Sequence, residues 1–165
     1  MKIQTYLKQS PIFAINSTYE MLIPKINKQL KSEKINLLQG LVLTALFFEG
    51  NSESITPSLL AKIFNTSAGN MSHIISALEY QGYVKRNLAK TDARRFNIEL
   101  KVEGRKKALY LIKFFDRIQG DFEKSLGANS CQNLAESIHH FGSLFKKNGY
   151  LMNGKSAREF TKEPS

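Results

Sequence analysis

The side chains best suited to chemistry in this sequence are basic, and they are concentrated in one stretch. Residues 83–107 hold nine lysines and arginines against Asp92, Glu99 and Glu103, so six of the chain's ten net positive charges lie here. Lysine and arginine form charge-assisted hydrogen bonds with phosphate oxygens. The local excess indicates a polyanionic partner; the alternative is a solvated basic surface that binds nothing.

The pattern around these charges is that of a β-hairpin. Apolar and polar residues alternate through "VKR" and "RRFNIEL", which predicts strands at 83–86 and 94–100 joined by a loop at 87–93. We call this hairpin the wing and expect Phe96, Ile98 and Leu100 to anchor it. The basic residues of the wing expected to bind the polyanion are Lys85, Arg86, Lys90, Arg94 and Arg95. Asp92 lies two residues before Arg94, where a carboxylate can hold the guanidinium in a fixed pose.

Two short helices are predicted immediately before the wing. Thr56-Pro57 is a typical helix start, and Asn65-Thr66-Ser67 is a polar turn rich in capping residues. After the turn, apolar residues recur at helical spacing at Met71, Ile74, Ile75 and Leu78, and Gly82 ends the segment. This order predicts a helix-turn-helix followed by a hairpin.

The second helix of such a motif can read base edges in a DNA major groove. Its predicted outer face is small, polar and uncharged. An Asn side chain can bond adenine bidentately, because its carbonyl oxygen accepts one hydrogen bond and its NH₂ group donates another. Glycine on this face allows close approach of the backbone. The candidate DNA-binding residues on this helix are Ser67, Gly69, Asn70, Ser72, His73 and Ser76.

The remaining segments are predicted to be helical, which makes the fold class mainly α with one small β-hairpin. Ser10-Pro11 begins a helix that Pro24 must kink or split, and Asn36 caps a second helix that ends near Glu49. Further apolar stripes predict a helix from Val102 that is broken at Gly127-Ala128-Asn129, and a last helix that fades at Gly149. Residues 150–165 are expected to form a loose tail.

Composition narrows the function classes. With 42% hydrophobic and 23% charged residues the chain is expected to fold, and no apolar run is long enough for a membrane span. A single cysteine, Cys131, favours the cytoplasm, and an incidental thiol is favoured over a redox sensor there. Adjacent His139 and His140 point apart on a helix, so no metal site is predicted. The sequence contains neither a phosphate-binding glycine loop nor a nucleophile motif, so no enzymatic activity is predicted, and no cofactor is predicted either.

Three stretches of the chain together resemble the MarR-type transcriptional regulators. They are "ITPSLLAKIF", "GNMSHIISALEYQGYVKR" and "DARRFNIELKVEG", within residues 55–104. The family's wing has an Asp-x-Arg motif, alternating apolar positions, Leu-Thr and then a glycine. Asp92, Arg94, Ile98, Leu100 and Gly104 lie at matching spacing. Two features depart from the family pattern. Lys101 stands where the family has its helix-capping threonine. The second helix of the motif, which is the recognition helix, carries no lysine or arginine.

The resemblance implies a homodimer on a near-palindromic operator in double-stranded DNA, with repression modulated by a small-molecule effector. It divides a single domain, 1–165, into a winged helix-turn-helix lobe (36–101) and a helical dimerisation lobe (10–35 and 102–148). The apolar stripes of the flanking helices agree with a dimer, and a monomeric core is the alternative. Two other functions stay open: a winged helix for protein–protein contacts, and sequence-independent nucleoid binding.

Overall fold

The computed structural model describes residues 2–50, 55–89 and 92–148, with the backbone alone at 89, 92–95, 146 and 148. It confirms a mainly helical chain with one hairpin. The helices are α1 (Lys2–Gln9), α2 (Pro11–Leu30), α3 (Leu37–Glu49), α4 (Pro57–Ile63), α5 (Ala68–Tyr80), α6 (Val102–Leu126) and α7 (Ala128–Asn148). The strands are β1 (Val84–Ala89) and β2 (Asp92–Leu100), and a short 3₁₀ turn (Lys31–Glu33) follows α2.

The described part of the chain contains no helix long and apolar enough to cross a membrane. The predicted tail at 150–165 lies outside the described residues. Helix α1 was not anticipated from the sequence pattern, whereas every helix predicted from an apolar stripe is present.

Local capping explains where several helices begin. The Asn36 side chain accepts a hydrogen bond from the Gln39 N–H and the Gln39 side chain accepts one from the Asn36 N–H, both at 2.9 Å. This reciprocal capping box satisfies two amide groups that have no partner within the helix. Ser10 occupies the corresponding position of α2 without a side-chain capping bond. Helix α2 continues through Pro24, so the alternative that proline splits the helix is wrong.

The chain divides into two compact units, Met1–Phe114 and Phe115–Ser165. In the first unit, α3, α5, the wing and the beginning of α6 supply most of the buried apolar side chains. Those more than 98% buried include Leu43, Met71, Ile75, Leu78, Val84 and Leu111. In the second unit, no described side chain between 115 and 148 is fully buried. The predicted division into a lobe at 36–101 and flanking dimerisation helices stays a prediction.

The two strands of the wing are antiparallel and longer than predicted. Val84 pairs with Leu100, Arg86 with Ile98 and Leu88 with Phe96, and an irregularity follows Leu88. The Ile98 N–H donates to the Ile55 carbonyl at 2.8 Å, which ties the wing to the chain segment before α4. Ile98 and Leu100 are buried as predicted, but Phe96 is 45% exposed. The expectation that Phe96 anchors the wing is therefore wrong, because Phe96 lies nearer the tip than the buried part of the same face.

Candidate nucleic-acid interface

Helix α5 begins at a well-formed cap and is held in the lobe by one apolar face. The Ser67 hydroxyl accepts a hydrogen bond from the Asn70 N–H at 3.1 Å. Met71, Ile74, Ile75 and Leu78 are all buried, with Ile74 the most exposed at 6%. Their spacing places them on one side of the helix, as predicted. Because this side of α5 is packed in the core, the opposite side of the helix faces outward.

This outward side carries the six residues that were predicted to read DNA, and all of them are exposed: Ser67, Gly69, Asn70, Ser72, His73 and Ser76. Asn70 is partly engaged, because its side-chain amide donates to the Thr66 hydroxyl at 2.8 Å. A Cβ added to Gly69 would approach only the Ser67 hydroxyl, at 4.0 Å. The described contacts within the protein therefore do not require a glycine at position 69.

Arg86, on β1, is turned towards α5. Its guanidinium donates to the Glu79 carboxylate at 2.7 Å and to the Ser76 hydroxyl at 2.8 Å. The Arg86 backbone N–H also donates to the Glu79 carboxylate, at 3.2 Å. No role was predicted for Glu79 from the sequence. The only sequence feature that could have indicated this contact is the carboxylate seven residues before Arg86.

Lys85 lies on the other face of the wing and pairs with a carboxylate on β2. Its ammonium is 3.0 Å from the Glu99 carboxylate, and Asn87 donates a hydrogen bond to the same group. The hydrogen bond from Lys85 lowers the pKa of Glu99 below its usual value, against the opposing effect of burial. Glu99 therefore stays ionised at neutral pH and offsets the charge of Lys85.

The densest part of the predicted basic cluster is at the wing tip. The backbone of Asp92, Arg94 and Arg95 belongs to β2, while their side chains and Lys90 lie outside the described residues. Their DNA contacts, and the Asp92–Arg94 interaction, stay predictions.

A junction that was not predicted from the sequence joins the segment between α5 and β1 to the start of α6. The Tyr83 carbonyl accepts a hydrogen bond from the Lys101 N–H at 2.9 Å, and the Lys101 carbonyl accepts the first helical bond from Arg105. Lys107 pairs with Glu33 and lies 5.7 Å from the centres of the Tyr83 and Tyr110 rings.

Burial alone would lower the pKa of Lys107, but interactions with Glu33 and Tyr83 raise it above its usual value. Lys107 is consequently charged at neutral pH, which the pairing with Glu33 requires. This ion pair fixes the beginning of α6 to the turn after α2.

No group of three or more metal-ligating side chains occurs within residues 2–50, 55–89 and 92–148. Cys131 is half-buried in the first turn of α7, where its N–H donates to the Gly127 carbonyl at 3.1 Å. Neither observation assigns chemistry to this part of the chain.

A capped helix pair followed by an antiparallel hairpin defines a winged helix-turn-helix protein. No protein-family model matches the sequence. A curated relative, the HTH-type transcriptional regulator SarZ of Staphylococcus haemolyticus, is 26% identical over 136 residues, covering 82% of this chain and 89% of SarZ.

Two solved structures extend the comparison. The MepR–DNA complex of S. aureus has a TM-score of 0.73 at 19% identity, covering 81% of this chain and 97% of MepR. CouR from Rhodococcus jostii, bound to p-coumaroyl-CoA, has a TM-score of 0.70 at 17% identity, covering 82% and 93%. The resemblance inferred from the motifs is confirmed: this chain has the fold of the MarR-type winged helix-turn-helix regulators.

Proposed function

We propose that this protein is a transcriptional regulator that binds double-stranded DNA sequence-specifically as a homodimer. The observation that carries the proposal is the geometry of α5. Its apolar side is locked in the core, its polar side is exposed, and a basic hairpin follows it directly. A helix presented in this way can enter a major groove while the hairpin lies against the backbone or in the minor groove.

The comparisons support the same function class. SarZ is named as a transcriptional regulator and MepR was solved with DNA. By that likeness the polar residues of α5 supply base contacts, and the wing supplies phosphate and minor-groove contacts. We expect repression as the outcome, because a protein that occupies an operator blocks other proteins from the same DNA.

Exposed apolar side chains support a homodimer. On α1 and α2 the exposed large apolar residues are Ile3, Tyr6, Ile12, Phe13, Ile15, Tyr19 and Met21. In the second unit they are Phe122, Leu126, Leu134, Ile138, Leu144 and Phe145. Large exposed apolar patches are rare on monomers, and they mark association sites. We assign both groups to contacts with a second copy.

A small-molecule effector completes the proposal, supported by the CouR structure with p-coumaroyl-CoA. An effector can release DNA only by as much as it binds one conformation better than the other. A molecule that favours a spacing of the two wings unsuited to the operator would therefore lower the affinity for DNA.

Selection of bound sequences from random duplex DNA at about 150 mM salt tests the function, because at that salt non-specific phosphate attraction is weakened. A palindromic sequence with two half-sites is the expected result. A featureless pool of bound sequences would indicate sequence-independent nucleoid binding instead. Absence of any DNA binding would favour a winged helix used for protein–protein contacts.

A further inference from the structure

Arg86 is attached to α5 by its backbone and by its side chain. Three hydrogen bonds, of 2.7–3.2 Å, join it to Glu79 and Ser76. Glu79 and Ser76 are one turn apart on α5, so Arg86 spans the exposed side of the helix near its end. We call these three residues the Arg86 clamp.

The Arg86 clamp holds the wing at one strand pair, Arg86 with Ile98. Arg86 pairs in register with Ile98, which is 5% exposed and whose N–H bonds the Ile55 carbonyl. Both strands are therefore fastened to the lobe at this level, β1 through the clamp and β2 through Ile98. Nearer the tip, Leu88 is 61% exposed and Phe96 is 45% exposed. The wing is thus held against the lobe at the Arg86–Ile98 pair.

The same contacts argue against a phosphate as the main partner of Arg86. The side chains of Arg86 and Glu79 are only 28% and 35% exposed, and two guanidinium nitrogens are already engaged. Moving Arg86 to a phosphate would leave a partly buried carboxylate without its partner, which is unfavourable. Glu79 also cancels the charge that Arg86 would otherwise add to the DNA-binding face.

We propose that Arg86 is a positioning residue for DNA recognition, which sets the angle between the wing and α5 through Glu79 and Ser76. This inference rests on the proposed function, because it concerns how α5 and the wing engage one operator together. Two contacts on a rigid frame reinforce each other only when their spacing matches the DNA. Loosening the clamp should therefore weaken binding to the operator more than binding to random DNA.

Glu79→Gln separates positioning from phosphate contact, because the two roles predict opposite effects. The variant keeps the size of the side chain but removes the negative charge and weakens the clamp. If Arg86 positions the wing, the ratio of operator to random-DNA affinity falls about tenfold, in the range of measured coupling between contacting residues. If Arg86 contacts phosphate, the freed guanidinium instead strengthens binding to both duplexes equally.

The experiment measures affinity for the selected operator and for a scrambled duplex over a series of salt concentrations. The proteins are wild type, Glu79→Gln, Arg86→Gln, the double variant and Arg86→Lys. Glu103→Gln is the matched control, since it makes the same chemical change at an exposed ion pair with Lys106 on α6. Thermal unfolding confirms that each variant is folded at the assay temperature, and Arg86→Lys retains a cation should Arg86→Gln prove unstable.

We expect Glu79→Gln and Arg86→Gln to lose discrimination similarly and the double variant to lose no more, while Glu103→Gln behaves like wild type. The salt slope of Arg86→Gln should match that of wild type. A slope lower by about one in Arg86→Gln would assign Arg86 to a phosphate and overturn the proposal. Unchanged discrimination in all clamp variants would reduce the clamp to a stabilising contact. Wild-type protein that did not distinguish the two duplexes would reject the proposed function itself.

Discussion

Gly104 shows how a single backbone position can constrain this fold. A Cβ built on Gly104 would lie 2.0 Å from the Tyr83 carbonyl oxygen and 2.9 Å from its carbon. The same carbonyl accepts a hydrogen bond from the Lys101 N–H, so it cannot move away without losing that bond. The glycine that the motif places after β2 is required because α6 starts against the backbone just before β1.

We predict that Gly104→Ala destabilises the protein by about 3 kcal/mol, the upper part of the usual range for overpacking. Urea unfolding measures the change. Gly120→Ala in the same helix is the control, because a Cβ there meets nothing within 4 Å. It should be neutral or stabilising by up to about 1 kcal/mol through better helix propensity. Equal stability of the two variants would contradict the close approach at Tyr83.

Glu99 gives a pH-dependent prediction at the same scale. Its pKa is lowered in the folded state, chiefly by the hydrogen bond from Lys85. The stabilisation from ionised Glu99 is thus fully present above the usual value of 4.5 and is lost as pH falls through the lower folded value. We expect the stability difference between wild type and Glu99→Gln to shrink below about pH 4.5. Urea unfolding between about pH 3 and pH 7 checks this, and a difference independent of pH would refute it.

The predicted DNA contact of Arg94 is based on the basic cluster at residues 83–107 and on the Asp-x-Arg motif of the wing. We predict that Arg94→Ala weakens binding to operator and scrambled DNA alike and lowers the salt slope by about one for each phosphate that Arg94 neutralises. Fluorescence anisotropy at several salt concentrations measures both quantities. Lys106→Ala, which removes one charge from an exposed pair on α6, is the control. An unchanged slope would remove Arg94 from the interface.

At the scale of elements, α5 depends on its N-terminal cap. The Ser67 hydroxyl satisfies the Asn70 N–H, one of the amide groups that the helix leaves unpaired. Ser67→Ala should lower the free energy of unfolding by about 1 kcal/mol. Ser10→Ala is the matched control, because Ser10 precedes α2 at the same position but makes no capping bond with its side chain. Denaturant unfolding compares them, and equal losses would show that the Ser67 bond adds nothing.

At the scale of the whole molecule, association should contribute to stability. A homodimer that unfolds to monomers has a midpoint that rises with protein concentration. We expect this rise for wild type and its loss in Ile12→Glu, which places a charge among the exposed apolar residues of α2. Sedimentation equilibrium measures the mass directly. Tyr80→Ser, at a side chain 94% exposed on α5, should leave the mass unchanged. A wild-type mass of one chain would refute the dimer.

Much of the framework follows from sequence because its causes are local. The caps at Asn36, Thr56 and Ser67 each involve a bond to an amide three residues away. The buried stripe of α5 follows from helical periodicity alone. The strand boundaries do not follow from local spacing, since pairing near the wing tip depends on the partner strand and on the irregularity after Leu88.

The sequence by itself determined the order of the elements, the buried side of α5 and the concentration of charge around the wing, because each depends on residues close together in the chain. Only the tertiary structure decided which charges face a partner within the protein. Arg86 meets Glu79 across two elements, and Lys107 meets Glu33 from 74 positions away. The tertiary structure also decided that Phe96 is exposed, because burial along that face of β2 covers Ile98 and Leu100 and does not reach Phe96. Such pairings depend on how distant segments pack, and no local spacing encodes that.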